Sequence, residues 1–163
     1  MLDIINTGKS VKELKTGDHL CLVYESEEEW QRVVTEFIKD GLERGEKCLY
    51  IYNSREPDKL RDCFTEIIAW DNLEDSGSFV FHSFRDLCRN IEMDQYAMIN
   101  YLSKLSDRSI SEGYAGLRIV MEMGSDDSFK SQDILEFEAR LNRYLFSKYC
   151  CPALCLYDQR EHE

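Results

Sequence analysis

The chain has 163 residues, 43% hydrophobic and 12% aromatic, the size and make-up of one globular domain with its own core. Its 32 Asp and Glu against 20 Lys and Arg leave a net charge of -12, which disfavours nucleic acid and anionic membrane surfaces, because both are held through a basic footprint. No apolar run approaches the roughly 20 residues of a membrane span, and the start, MLDIINTGKSVKEL, lacks the apolar core and cleavage site of a signal peptide, so a cytoplasmic protein is expected.

Residues 1–16 are polar with a few apolar anchors (Leu2, Ile4, Ile5, Val11, Leu14) and are expected to form an N-terminal arm on a single domain spanning 17–163. Within the arm, Thr7-Gly8-Lys9-Ser10 has the ending of a phosphate loop. Asp3 stands where that motif needs its first glycine, and no strand fits before it.

The stretch from Gly17 to Trp30, GDHLCLVYESEEEW, predicts a strand over His19 to Tyr24 followed at once by a helix. Ser26 caps that helix, Glu29 stands three residues on as in a capping box, and Glu27 and Glu28 suit the positive end of its dipole. Val33, Val34, Phe37, Ile38 and Leu42 give it one apolar face, and Gly45 ends it. Lys47 to Tyr52 is a second strand. Pro57 opens a second helix with Leu60, Phe64, Ile67 and Ile68 inward. Asp71 to Ser78 reads as a loop, Phe79 to Ser83 as a third strand, and 84–93 as ambiguous. Asp94 caps a long helix that stops at Gly113, Leu117 to Met123 is a fourth strand, and Gly124 to Lys130 a polar loop. A helix from Ser131 to about Lys148 and a last strand, Ala153 to Tyr157, complete the chain. Five strands alternating with four helices predict a three-layer α/β/α fold around a mostly parallel five-stranded sheet.

In such sheets ligands bind beyond the carboxyl ends of the strands. Tyr24, Glu25, Tyr52, Asn53, His82, Ser83, Glu122, Tyr157 and Asp158 fall there, offering aromatic walls with a few polar anchors. Each also has a plain structural reading: a Tyr at a strand end rims the core, and Glu25 favours the helix start. Arg118 and Glu122 share a face of their strand, and burial obliges each to find a partner. Arg118 with Glu122, Glu136 or Glu138 as a structural salt bridge competes with ligand binding.

Seven Cys without paired CxxC spacing indicate neither a disulfide framework nor a zinc ribbon, and no cofactor is called for. His19 and Cys21 share a strand face, so with Cys155 they form an alternative metal set. The absence of a recognisable ligand cluster favours a histidine bonded to nearby backbone. Cys150 and Cys151 are vicinal and expected near the surface, a candidate redox pair. No nucleophile beside an oriented base is visible, so catalysis is not expected.

Five segments in order, GDHLCLVYESEEE, GLERGEKCLYIYN, EGYAGLRIVMEM, EFEARLN and ALCLYDQ, resemble the DcmR-type sensory domain, MEDS. The resemblance implies a sensory module that binds a small organic molecule, such as a hydrocarbon derivative, and relays a conformational change to a histidine kinase or transcription regulator, with a homodimer left open. The architecture also resembles RecA-like ATPases of the KaiC type, with the phosphate loop lost. Tyr24-Glu25-Ser26-Glu27-Glu28-Glu29 stands at the phosphate position without glycine or lysine. A degenerate nucleotide-binding protein and a metal or thiol redox sensor using His19 and cysteines are the rival readings.

Overall fold

A computed structural model describes residues 3–4, 18–65, 70–90, 94–123, 131–149 and 151–161. The elements are β1 (Asp3–Ile4), β2 (His19–Tyr24), α1 (Glu27–Glu43), β3 (Lys47–Tyr52), α2 (Pro57–Phe64), α3 (Trp70–Asp75), β4 (Phe79–Ser83), α4 (Phe84–Asn90), α5 (Gln95–Ser111), β5 (Leu117–Glu122), α6 (Ser131–Leu141) and β6 (Ala153–Asp158). A π-helical turn, Asn142–Phe146, extends α6.

All strand pairs are parallel, in the order β1-β2-β6-β5-β3-β4. The five expected strands are present, and Asp3–Ile4 adds a sixth at the edge of β2. β5 and β6 are buried on both faces, so LRIVME and ALCLYD read as near-continuous apolar runs instead of alternating ones.

Side-chain alternation divides the interior in two. On the first face Leu20, Leu22, Tyr24, Tyr50, Val120, Leu154 and Leu156 pack against Trp30, Val34, Phe37 and Ile38 of α1 and Leu60 and Phe64 of α2. On the second, Cys21, Leu49, Ile51, Ile119, Met121 and Cys155 pack against α4, α5, α6 and the π-helical turn.

The helix starts follow the predicted caps. Ser26 Oγ accepts the Glu29 N–H at 3.2 Å, and Glu29 Oε2 accepts the Glu25 N–H at 3.2 Å. Asp94 Oδ1 accepts the Tyr96 N–H at 2.9 Å. Gly45 and Gly113 lie just past the ends of α1 and α5 at φ of 77° and 97°, left-handed conformations that a side chain would strain.

Two readings are corrected. Asp71 to Ser78 is not all loop, because Trp70–Asp75 is helical and Leu73 packs on the first core. The ambiguous stretch after β4 begins as α4, capped by Ser83 Oγ and anchored by buried Phe84, Leu87 and Cys88. Most of the N-terminal arm, the GKS tripeptide, Ile67, Ile68, residues 91–93, the loop 124–130 and Cys150 lie outside the described residues.

Candidate functional site

Three places bring chemically useful side chains together. The first is the carboxyl edge of the sheet on the α1 face. Glu122, at the end of β5, is buried, and its Oε2 accepts the backbone N–H groups of Asn53, Ser54 and Arg55 at 2.7, 3.0 and 3.3 Å. Its Oε1 accepts from the Tyr50 hydroxyl at 3.0 Å and from Arg55 at 3.4 Å. The turn after β3 is thus a small anion cradle filled by the protein's own carboxylate.

Arg55 packs 4.1 Å above the Trp30 ring and 5.4 Å from the Tyr24 ring, donates to the Tyr24 hydroxyl at 3.0 Å and pairs with Glu27 at 2.8 Å. Arg160 closes the rim by pairing with Glu27 and Asp158. Burial raises Tyr24 to about 12 against the pull of Arg55, so it stays a neutral phenol. Burial alone would raise Glu27, but hydrogen bonds from Arg160 and Arg55 outweigh it and the carboxyl is lowered. The hydrogen bonds of Arg160 lower Asp158 likewise.

The structure therefore gathers Tyr24, Asn53, Glu122 and Asp158 at one edge, with Tyr52 partly buried beside them. Glu25 is exposed, with its N–H in the helix cap. Tyr157, Arg118 and His82 lie elsewhere, His82 in the cleft between the sheet and α5. Tyr157 is on the opposite face of the sheet, one position along β6 from Asp158.

Arg118, near the start of β5, is fully buried at the other end of its strand. It bonds Glu46 through Nε and the Phe37 carbonyl through Nη1 at 2.8 Å, and pairs with Asp40 at 3.1 Å. The structural salt bridge exists, but its acids come from α1 and the turn after it, not from Glu122, Glu136 or Glu138. Gly41 makes the room, since a Cβ there would sit 2.4 Å from Arg118 Cδ.

The second place surrounds His19 on the α6 face. His19 Nε2 lies 3.3 Å from Cys155 Sγ and 2.6 Å from Glu138 Oε2, and its ring packs 4.6 Å from that of Phe146, tilted by 54°. Cys21 and Cys155 face each other in register on adjacent strands, and the Tyr157 hydroxyl donates to Glu138 Oε1. The expected backbone partner for His19 is replaced by side chains. Burial opposes a charged imidazole, but Cys21 and the carboxylate of Glu138 beside the ring hold His19 up at about 9. A hydrogen bond from Cys155 lowers the Cys21 thiol. Cys151 is fully buried, against the expectation of a surface pair.

The third place is a cleft of about 290 Å³ between the sheet and α5, lined by apolar Leu49, Val80, Leu105 and Leu117 and by His82, Tyr101 and Ser109. His82 Nε2 is 3.4 Å from the Tyr101 hydroxyl, and burial lowers the imidazole, keeping it neutral near pH 7. Lys47 and Arg108 stand at one end, both paired with Glu112.

A family model, MEthanogen/methylotroph, DcmR Sensory domain, matches residues 18–163. The chain belongs to the MEDS family. Among solved structures the MEDS chain is similar to a KaiC-like protein from the hyperthermophilic archaeon Pyrococcus horikoshii OT3. The TM-score is 0.61 at 15% identity, over 90% of this chain and 64% of that one. At that identity the likeness shows a RecA-like fold alone, and the MEDS chain spans under two thirds of the other protein's length. Comparison with curated proteins gave no match.

Arg55 and Arg160 at the rim, Glu138 beside His19, and Tyr101 with the aliphatic lining of the cleft are site residues that the sequence does not mark as such. Arg55 lies in a turn and Arg160 beyond the last strand, where no periodicity marks them. Glu138 is offered by the sequence only as a partner for Arg118, not for His19.

Proposed function

We propose that this MEDS domain is a non-enzymatic cytoplasmic sensor that binds a small, weakly polar organic molecule in the cleft beneath α5 and relays a conformational change to a histidine kinase or transcription regulator. The cleft carries the reading. Four aliphatic side chains line it, and the neutral His82 and Tyr101 supply hydrogen-bonding tips, which suits a hydroxyl, amine or halide on a short carbon skeleton. The carboxyl edge favoured by the sequence is occupied by its own Arg55–Glu122 network, so a ligand there would first have to displace buried ion pairs. That occupancy also weighs against the nucleotide-binding rival, because the N–H groups that could meet a phosphate are spent on Glu122. A signal requires that the ligand prefer one conformation over another.

The test is a panel of short alcohols, amines and halogenated hydrocarbons, read by thermal shift and by the NMR signals of His82 and Tyr101. At least one member should raise the melting temperature and move those signals, and Leu105→Trp, which fills the cleft, should abolish both effects. A ligand that shifts the melting of Leu105→Trp as much as that of the parent, or magnesium-ATP binding with no response to the panel, would overturn the reading.

A further inference from the structure

We propose that His19, Cys21, Cys155 and Glu138 form a buried binding site for one borderline-soft divalent cation of the zinc, ferrous iron or cobalt class. The donor atoms of His19, Cys21 and Glu138 already lie within 4.8 Å of one another, and Cys155 Sγ lies 3.3 Å from His19 Nε2. Donors around a tetrahedral zinc are about 3.3–3.8 Å apart, given metal–ligand bonds of roughly 2.0–2.3 Å, so the widest spacing among His19, Cys21 and Glu138 closes by about 1 Å while the 2.6 Å between Nε2 and Glu138 Oε2 opens to admit the ion. Two sulfurs, one imidazole and one carboxylate are the ligand types such ions take, whereas magnesium and calcium require oxygen.

The cluster is also short of hydrogen-bond donors. Nε2 carries either one proton or one lone pair, yet Cys155 Sγ and Glu138 Oε2 both converge on it. Glu138 Oε2 is buried and, at 2.6 Å from Nε2, still lacks hydrogen-bond geometry to any described residue. A cation at the centre satisfies all four groups at once, and the site's surroundings are those of a ligand shell. The Tyr157 hydroxyl holds the other carboxylate oxygen, and Phe146 fixes the ring plane of His19. Phe146 belongs to the π-helical turn, a departure from α geometry that recurs at functional sites. His19 is only 2% exposed, so the ion enters as the chain folds.

Protein expressed in zinc- and iron-replete medium and purified anaerobically without chelator should carry about one metal equivalent per chain by elemental analysis. Refolding with cobalt(II) should give intense tetrahedral ligand-field bands and a thiolate charge-transfer band. X-ray absorption on the same sample should show sulfur together with nitrogen or oxygen ligands. Glu138→Gln should weaken these signals, Cys21→Ser should lower the charge-transfer intensity and the double variant Cys21→Ser/Cys155→Ser should remove it, while Cys48→Ser, a buried thiol on the opposite face, should leave them intact. The pale spectrum of octahedral aquo-cobalt from the parent protein, with metal far below one equivalent, would overturn the site. So would a charge-transfer band unchanged in Cys21→Ser. The parent-protein measurements decide the matter even where a variant fails to fold.

Discussion

Glu122 shows how a residue that reads as functional can be committed to the fold. Its carboxylate neutralises Arg55 and satisfies three backbone N–H groups and a buried phenol. Glu122→Ala leaves those donors unpaired and the buried guanidinium with Glu27 as its remaining carboxylate, so a loss on the order of 3–5 kcal/mol is expected, read as a lower urea midpoint. Gly41 sets a second residue-scale test with two opposing terms. Alanine gains roughly 1 kcal/mol of helix propensity, but its Cβ would press on Arg118, which Glu46, Asp40 and the Phe37 carbonyl pin in place. Overpacking of that kind costs about 1–3 kcal/mol. Gly41→Ala should therefore destabilise, and an unchanged or raised urea midpoint would show that Arg118 can yield.

At the scale of elements, propensity and capping account for most boundaries, because they act within one turn of chain. Ser26 and Asp94 each satisfy an orphan N–H at a helix start. Ser26→Ala and Asp94→Ala should each cost about 1 kcal/mol in chemical denaturation. The two sites lie on helices of opposite layers, so the double variant should lose close to the sum. Among the helices, α3 and α4 are the ones that local signals miss, as they miss the two-residue strand β1. Six and seven residues give too short a window for periodicity, and α4 is held by the burial of Phe84, Leu87 and Cys88 instead of by a strong pattern of its own.

For the whole molecule, the excess of acid is managed where strands end. Arg160 ties the rim of the sheet to α1 through Asp158 and Glu27, and both carboxyls are lowered below their ordinary values. A lowered folded-state pKa means that the unfolded chain binds more protons. The stabilisation is then present above about pH 4, the ordinary carboxylate range, and fades as pH falls through the folded values. Urea midpoints measured across the acid range should decline less steeply for Arg160→Ala than for the parent, the two curves converging at low pH. Parallel curves would mean that the rim pairs contribute no linkage.

The amino-acid sequence by itself determined the α/β class, the five main strands, the capped helices and the family, since each rests on patterns a few residues long or on ordered motifs along the chain. It also placed His19 and Cys21 on one face of β2, because strand side chains alternate. Only the tertiary structure decided the partners. Arg118 finds Asp40 and Glu46 because α1 crosses over the start of β5, and Glu138 reaches His19 because α6 lies across β2 and β6. The separation of Tyr157 from Asp158 into different layers, and the filling of the carboxyl edge by Arg55, arise the same way. Contacts between groups far apart in the chain depend on sheet order and helix placement, which no local pattern encodes.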